Sequence, residues 1–204
     1  MSKPVTRIAV QTKGRLLEDS LAWLAERGIT FNQKPDRALR ALSDHGQVEA
    51  IFVRHSDIPK YVQSGVAQYG IVGANILHEY EPPVNTISRF EFGQCKLVLA
   101  VPQDSSIQTI TDLAGHRIAT AYPNSLRKWL RTQGIPAAVI DLGGSIEVTT
   151  ELGLADAICD ITQTGTTLKQ HQLQPLHTLL ESTATLIMSP HYQPSSHDPI
   201  YATL

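Results

Sequence analysis

Four threonines crowd one glycine in the segment Thr162-Gln163-Thr164-Gly165-Thr166-Thr167, directly after the apolar residues Ala157, Ile158 and Ile161. A buried strand that empties into hydroxyls and a glycine has the layout of a strand-to-helix turn that wraps an anion. Backbone N–H groups converge there, Gly165 lets the chain approach closely, and Thr162, Thr164, Thr166 and Thr167 add hydroxyl donors. The competing structural reading is a helix N-cap with surface threonines. Two acids precede the turn. On a strand, Asp156 and Asp160 face the same way but lie about 13 Å apart, too far to clasp one diol. Asp160, nearer the turn, is the better hydroxyl acceptor, and Asp156 in "GLADAI" reads as the cap of the preceding turn.

Basic residues recur at strand ends. Lys13 and Arg15 flank Gly14 after "RIAVQT", where a basic pair either faces phosphate or is simply solvated. Arg54 ends the run "AIFV", an awkward place for a charge unless the strand opens on a site, and its planar cation could stack on a base. Glu147 in "GSIE" is either a ligand-side carboxylate or a helix-start glutamate placed in the dipole. The eight histidines lack metal-ligand spacing. Cys95 and Cys159 sit in apolar stretches and read as buried free thiols, which fits a reducing, cytoplasmic location.

The elements that must position these residues follow from periodicity. "RIAVQT" reads as a strand, followed by a helix on Leu17, Leu21 and Leu24 that Gly28 stops. "ALRALS" and "VEAIFVR" read as strands around a turn. "SDIPKYVQSG" reads as a helix capped by Ser56 or Asp57, and "YGIVG" as a buried strand. The same alternation resumes with "CKLVLAVP", a helix near "TITDLAG", "RIATA", the helix "SLRKWLRTQG", "AAVIDLG", a helix near "IEVTTELG", and "DAICDIT". Such alternation predicts an α/β protein with largely parallel sheets flanked by helices. The break at "YEPPVNTISRFEFG" divides the chain into lobe I, residues 1–91 plus 182–204, and lobe II, residues 92–181. "PLHTLLESTATLIMSP" returns to the first lobe, and a ligand would lie in the cleft between the two. With 17 basic and 19 acidic residues among 204, the chain lacks the basic surface of a nucleic-acid binder. No run reaches membrane-spanning length and no signal h-region opens the chain.

Six segments, in order, resemble the ATP phosphoribosyltransferases, the first enzymes of histidine biosynthesis: "TKGRL" (12–16), "FVRHSDIP" (52–59), "YGIVGANIL" (69–77), "RFEFGQCKLVLAVP" (89–102), "TAYPN" (120–124) and "GGSIEVTTELGLADAICDITQTGTTL" (143–168). The resemblance implies a two-lobed fold like type II periplasmic binding proteins, Mg²⁺ dependence with the ion carried by substrate phosphates, and a specific reaction. Phosphoribose passes from phosphoribosyl pyrophosphate (PRPP) to ring nitrogen 1 of the adenine of ATP, and pyrophosphate leaves. Such chemistry asks the protein for grip, alignment and anion stabilisation. By the same resemblance Arg15 stabilises departing pyrophosphate, Lys13 contacts pyrophosphate or triphosphate, Arg54 contacts the nucleotide, and Glu147, Asp160, Thr162, Thr164, Gly165, Thr166 and Thr167 hold PRPP.

The chain length resembles the family's short form, which lacks a histidine-binding C-terminal domain and works with a regulatory subunit resembling histidyl-tRNA synthetase. Catalytic dimers within a hetero-oligomer are therefore expected, with feedback conferred by the partner. The proline-rich tail "SPHYQPSSHDPIYATL" leaves open whether a final helix is reduced or cut short. Two other classes fit parts of the pattern: an exported solute-binding protein, which would carry a signal peptide, and a ligand-sensing regulatory domain, which would need a DNA-binding segment.

Overall fold

The computed structural model describes residues 5–32 and 39–204, with the Arg15 side chain outside that description. In chain order the elements are β1 (Thr6–Gln11), α1 (Arg15–Ala25), β2 (Arg40–Leu42), β3 (Val48–Val53), α2 (Ile58–Gln63), β4 (Tyr69–Gly73), α3 (Ala74–Tyr80) and β5 (Asn85–Arg89). They continue with β6 (Cys95–Pro102), β7 (Arg117–Thr120), α4 (Pro123–Gln133), β8 (Ala138–Asp141), β9 (Ala157–Thr162), α5 (Thr166–Gln170), β10 (Leu173–Ser182) and β11 (Ala184–Met188). Two compact units result. The first comprises Met1–Leu77, Glu81–Gly93 and Thr183–Leu204, and the second His78–Tyr80 and Gln94–Ser182.

The first unit holds a six-stranded sheet in the order β2-β3-β1-β4-β11-β5. Its centre, β3-β1-β4, is parallel, with Thr6 to Gln11 in register with Val48 to Val53. β2 joins β3 through a hairpin too short for a crossover helix, so that edge is antiparallel. β11 and β5 complete the other edge, also antiparallel. β4, "YGIVG", is buried at every residue, as the unbroken apolar run demands of a central strand. α2 lies directly on it: a Cβ at Gly70 would stand 2.8 Å from methyl carbons of Ile58 and Val62 and 3.3 Å from Ile187. The core gathers Ile8, Val10, Leu24, Phe52, Tyr69, Ile71 and Leu186. Ile200 joins it from the tail, where the buried Asp198 carboxylate accepts the N–H groups of Ile200 and Tyr201 at 2.9 and 2.7 Å.

The second unit holds a five-stranded sheet, β10-β6-β9-β7-β8. β9, β7 and β8 run parallel, while β6 and β10 are antiparallel to their neighbours. Each sheet thus contains three contiguous parallel strands, central in the first and reaching the β8 edge in the second. Val98, Ala100, Ala119, Ile158, Leu168 and Leu173 form this core.

Several elements depart from the sequence expectations. The segment read as an inter-lobe break contains β5, an edge strand paired with β11; its residues are exposed or half-buried, so no apolar run announces it. α3 follows Gly73 without any intervening turn signal. The helices expected near "TITDLAG" and "IEVTTELG" shrink to single 3₁₀ turns, Ile110–Leu113 and Glu147–Thr149. Asp57 occupies the N-cap position of α2 but makes no cap bond, because its carboxylate pairs with Lys60 Nζ at 2.9 Å. The tail closes in a 3₁₀ turn, Tyr201–Thr203. Among the described residues, no helix is long and apolar enough to cross a membrane.

Candidate active site

The threonine cluster is a strand-to-helix turn. β9 ends at Thr162, Gly165 stands at the N-cap of α5 with φ 74° and ψ 3°, and the helix begins at Thr166. The Gly165 N–H donates to Thr162 Oγ1 at 3.0 Å, which folds the turn on itself. Thr164 and Thr166 hydroxyls lie 2.9 Å apart, and both residues, with Thr167, are exposed. The turn therefore offers hydroxyls and first-turn N–H groups to solvent, while Leu168 anchors α5 in the core. A Cβ at Gly165 would meet nothing within 4 Å, so the space over the glycine is open.

Asp160 lies at the foot of this turn, half-buried, accepting the N–H of Ile161 on Oδ1 at 2.8 Å. Burial pushes its carboxyl up to about 6; the Ile161 N–H opposes that rise and the charge of Glu147 adds to it. Glu147 thus lies within electrostatic reach of Asp160, carried there by the 3₁₀ turn after Ser145, whose φ of 54° is strained for a non-glycine residue. Asp156 is elsewhere employed. Arg117 from β7 grips it through Nη2 at 2.8 Å and Nε at 3.1 Å, and the Arg117 N–H adds a third bond at 2.8 Å. Those bonds hold the Asp156 carboxyl below its ordinary range, and the role is structural.

In the first unit the basic residues share one sheet edge, the carboxyl end of the parallel strands β1 and β3. Thr12 N–H donates to the Val53 carbonyl at 3.1 Å, which brings the turn Lys13-Gly14-Arg15 beside Arg54. Gly14 is the N-cap of α1 with φ 91° and ψ 175°. Lys13 and Arg54 are both exposed. A cavity of about 680 Å³ opens here, lined by Thr12, Phe52, Arg54, Asp57, Tyr61 and Val66 among others. Its walls mix apolar and aromatic surface with cations, a composition suited to a nucleotide-sized ligand.

Sequence reasoning missed a second set of polar residues in the second unit. Thr120, at the end of β7, donates its hydroxyl to the Cys159 carbonyl at 2.6 Å and accepts the Tyr122 N–H at 2.9 Å. Glu79, in the last turn of α3, accepts the N–H groups of Asn124 and Ser125 at 2.9 and 2.8 Å. Only the segment "TAYPN" hinted at this region, and nothing in "HEYEPP" marks Glu79 as a buried cap.

The fold and these two turns define an α/β protein of two units with glycine-capped strand-to-helix turns, one bearing cations and one bearing hydroxyls, at the carboxyl ends of parallel strands. The chain belongs to the ATP phosphoribosyltransferase family, whose model, HisG: ATP phosphoribosyltransferase, matches residues 54–203. An ATP phosphoribosyltransferase of Xylella fastidiosa is 41% identical over 189 residues, covering 88% of this chain and 62% of that protein. The chain thus spans about 62% of that relative's length. A chain of the ATP phosphoribosyl transferase (HisG:HisZ) complex from Thermotoga maritima superposes with a TM-score of 0.81 at 27% identity, covering 98% of this chain and 94% of that one. The periplasmic aliphatic sulphonate binding protein SsuA from Escherichia coli shares the fold, with a TM-score of 0.61 at 16% identity over 94% of this chain and 63% of that one.

Proposed function

We propose that the chain is the catalytic subunit of an ATP phosphoribosyltransferase, transferring phosphoribose from PRPP to ring nitrogen 1 of the adenine of ATP with release of pyrophosphate. The observation that carries this reading is the open hydroxyl turn Thr162–Thr167 with Asp160 at its foot, in a chain of this family. The turn receives the 5′-phosphate of PRPP, and the Asp160 carboxylate accepts ribose hydroxyls. Lys13 and Arg15 face pyrophosphate as it accumulates charge, and Arg54 lies against the nucleotide beside the exposed apolar surface of Tyr61 and Val66. Glu147 completes the ribose and pyrophosphate surroundings.

Mg²⁺ fits this scheme as an ion carried by substrate phosphates. Asp160 and Glu147 are hard oxygen donors of the kind that accompanies phosphate-borne Mg²⁺. When bound, the ion supplies charge neutralisation on the leaving pyrophosphate. The free thiols of Cys95 and Cys159 are consistent with work in a reducing cytoplasm.

For the partner, the likeness that runs over 94% of a chain of the Thermotoga HisG:HisZ complex supports assembly with a second, regulatory subunit; that this subunit resembles histidyl-tRNA synthetase, and that the catalytic chains pair as dimers within the assembly, follow from the family resemblance. Feedback by histidine then acts through that subunit. The test mixes the purified chain with ATP, PRPP and Mg²⁺ and follows pyrophosphate release, with and without the partner, across a histidine titration. Turnover of the isolated chain that ignores histidine, and inhibition only in the complex, is the expected result. Binding of either ligand without turnover, in both preparations, would leave a binding protein instead.

A further inference from the structure

The turn joining β7 to α4 is held at both ends by buried polar groups that the scheme above does not use. At one end the parallel ladder between β7 and β9 stops at the pair Thr120 and Cys159. The Thr120 hydroxyl bridges the point where the strands part, donating to the Cys159 carbonyl and accepting the Tyr122 N–H. The next residue of β9 is Asp160. At the other end, Glu79 accepts two N–H groups from the first turn of α4, the Asn124 amide donates to the Glu79 carbonyl at 3.2 Å, and His78 Nδ1 shares a 3.0 Å hydrogen bond with the Ser125 hydroxyl. Glu79, Thr120, Ser125 and Cys159 are each 3% exposed or less.

A buried carboxylate is an expensive way to cap a helix when an exposed serine or asparagine at the N-cap would serve. Its placement has a second effect. The amino end of α4 and the turn Thr162–Thr167 leave the carboxyl ends of two paired parallel strands, β7 and β9, so both are anion-attracting points at one edge of the sheet. The Glu79 carboxylate answers the first of them with a resident negative charge and leaves the second open. Thr120 meanwhile fixes the backbone of β9 one residue before Asp160.

We propose that Thr120 and Glu79 are positioning residues for the phosphoribosyl donor: through the β7–α4 turn they fix the direction in which β9 delivers Asp160 and the turn Thr162–Thr167. The proposal rests on the assignment of PRPP to that turn. Thr120→Val keeps the side-chain shape but deletes the bridge, and Thr120→Ser restores it. Glu79→Gln keeps the shape but turns one acceptor oxygen into a donor that faces an N–H.

The experiment measures kcat, the KM for each substrate and the melting temperature of these three variants, with calorimetric PRPP titration of the unmodified protein. A misdirected donor site raises the KM for PRPP about tenfold in Thr120→Val and Glu79→Gln, with the KM for ATP changed less than about twofold and Thr120→Ser near the parent value. A PRPP KM that stays at the parent value in folded Thr120→Val, whatever its melting temperature, overturns the proposal and leaves a purely structural network. Equal rises for both substrates overturn it too, since they report general distortion. If Glu79→Gln does not fold, the Thr120 pair decides alone. Absence of PRPP binding by the unmodified protein removes the donor-site assignment itself, and the inference with it.

Discussion

The turn at Gly14 and the turn at Gly165 are built on one plan and furnished differently. Each follows a parallel strand, places a glycine of positive φ at the N-cap of a helix, and makes no side-chain cap bond. The first opens an eleven-residue helix that buries Leu17 and Leu24, and it carries Lys13 and Arg15. The second opens a five-residue helix anchored by Leu168, and residues 162–167 carry hydroxyls and the Gln163 amide but no charge. Long flexible cations can follow a group that moves and gains charge, whereas short hydroxyls tied to each other hold a group that stays in place. In the proposed reaction those two demands belong to the leaving pyrophosphate and to the retained 5′-phosphate.

Four tests probe that division. The largest effect is expected from Gly165→Val, where a branched side chain enters the open space over the turn at a φ that such residues avoid. Losing two charge-assisted bonds of ~1.5–3 kcal/mol each weakens PRPP binding by ~10²–10⁴, read by calorimetry on protein whose circular dichroism is unchanged. Unaltered affinity would move the phosphate elsewhere. Arg15→Ala comes next, lowering kcat by ~10²–10³ with smaller changes in KM if its contact strengthens as pyrophosphate departs. A loss confined to KM would make both turns simple grips and erase the contrast.

The third test exchanges each glycine for asparagine. Gly165 is in the left-handed helical region that asparagine enters readily, but Gly14, at ψ 175°, is in a corner open essentially to glycine alone. Denaturant unfolding should show Gly14→Asn costing ~1–3 kcal/mol and Gly165→Asn below ~1 kcal/mol; equal costs would show that the two turns differ less in backbone than their dihedrals state. The smallest effect concerns pH. The ionised form of Asp160, the form that accepts hydroxyls, is lost as pH falls through about 6. Glu147→Gln removes a repelling charge, lowers that midpoint, and should move the acid limb of kcat/KM for PRPP downward by less than about one unit. An upward move would mean that Glu147 helps rather than opposes ionisation.

What could be read from the chain before folding was local. The run "YGIVG" and the Leu17, Leu21, Leu24 spacing each declare an element because burial and period coincide within a few residues. The Thr162–Thr167 turn was legible because glycine and hydroxyls are contiguous in sequence. β5 was not, since an edge strand buries too little to leave a period, and Glu79 was not, since its partners Asn124 and Ser125 lie more than forty residues away. Asp156 shows the intermediate case: its remoteness from Asp160 was a matter of strand geometry, but its pairing with Arg117 depends on which strand neighbours β9. Long-range pairing of that kind is set by topology, which no short window contains.

Gly70 shows how far such topology reaches. The missing side chain there lets α2 rest on the backbone of β4, and the Arg54 carbonyl accepts the N–H groups of Asp57 and Ile58 at the entrance of that same helix. A single added methyl would have to push Ile58 and Val62 outward, and the helix would carry the Arg54 loop with it. A position in the centre of the sheet therefore helps set where the Arg54 cation stands at its cavity, so a substitution there would be felt at the carboxyl end of β3 as well as in the core.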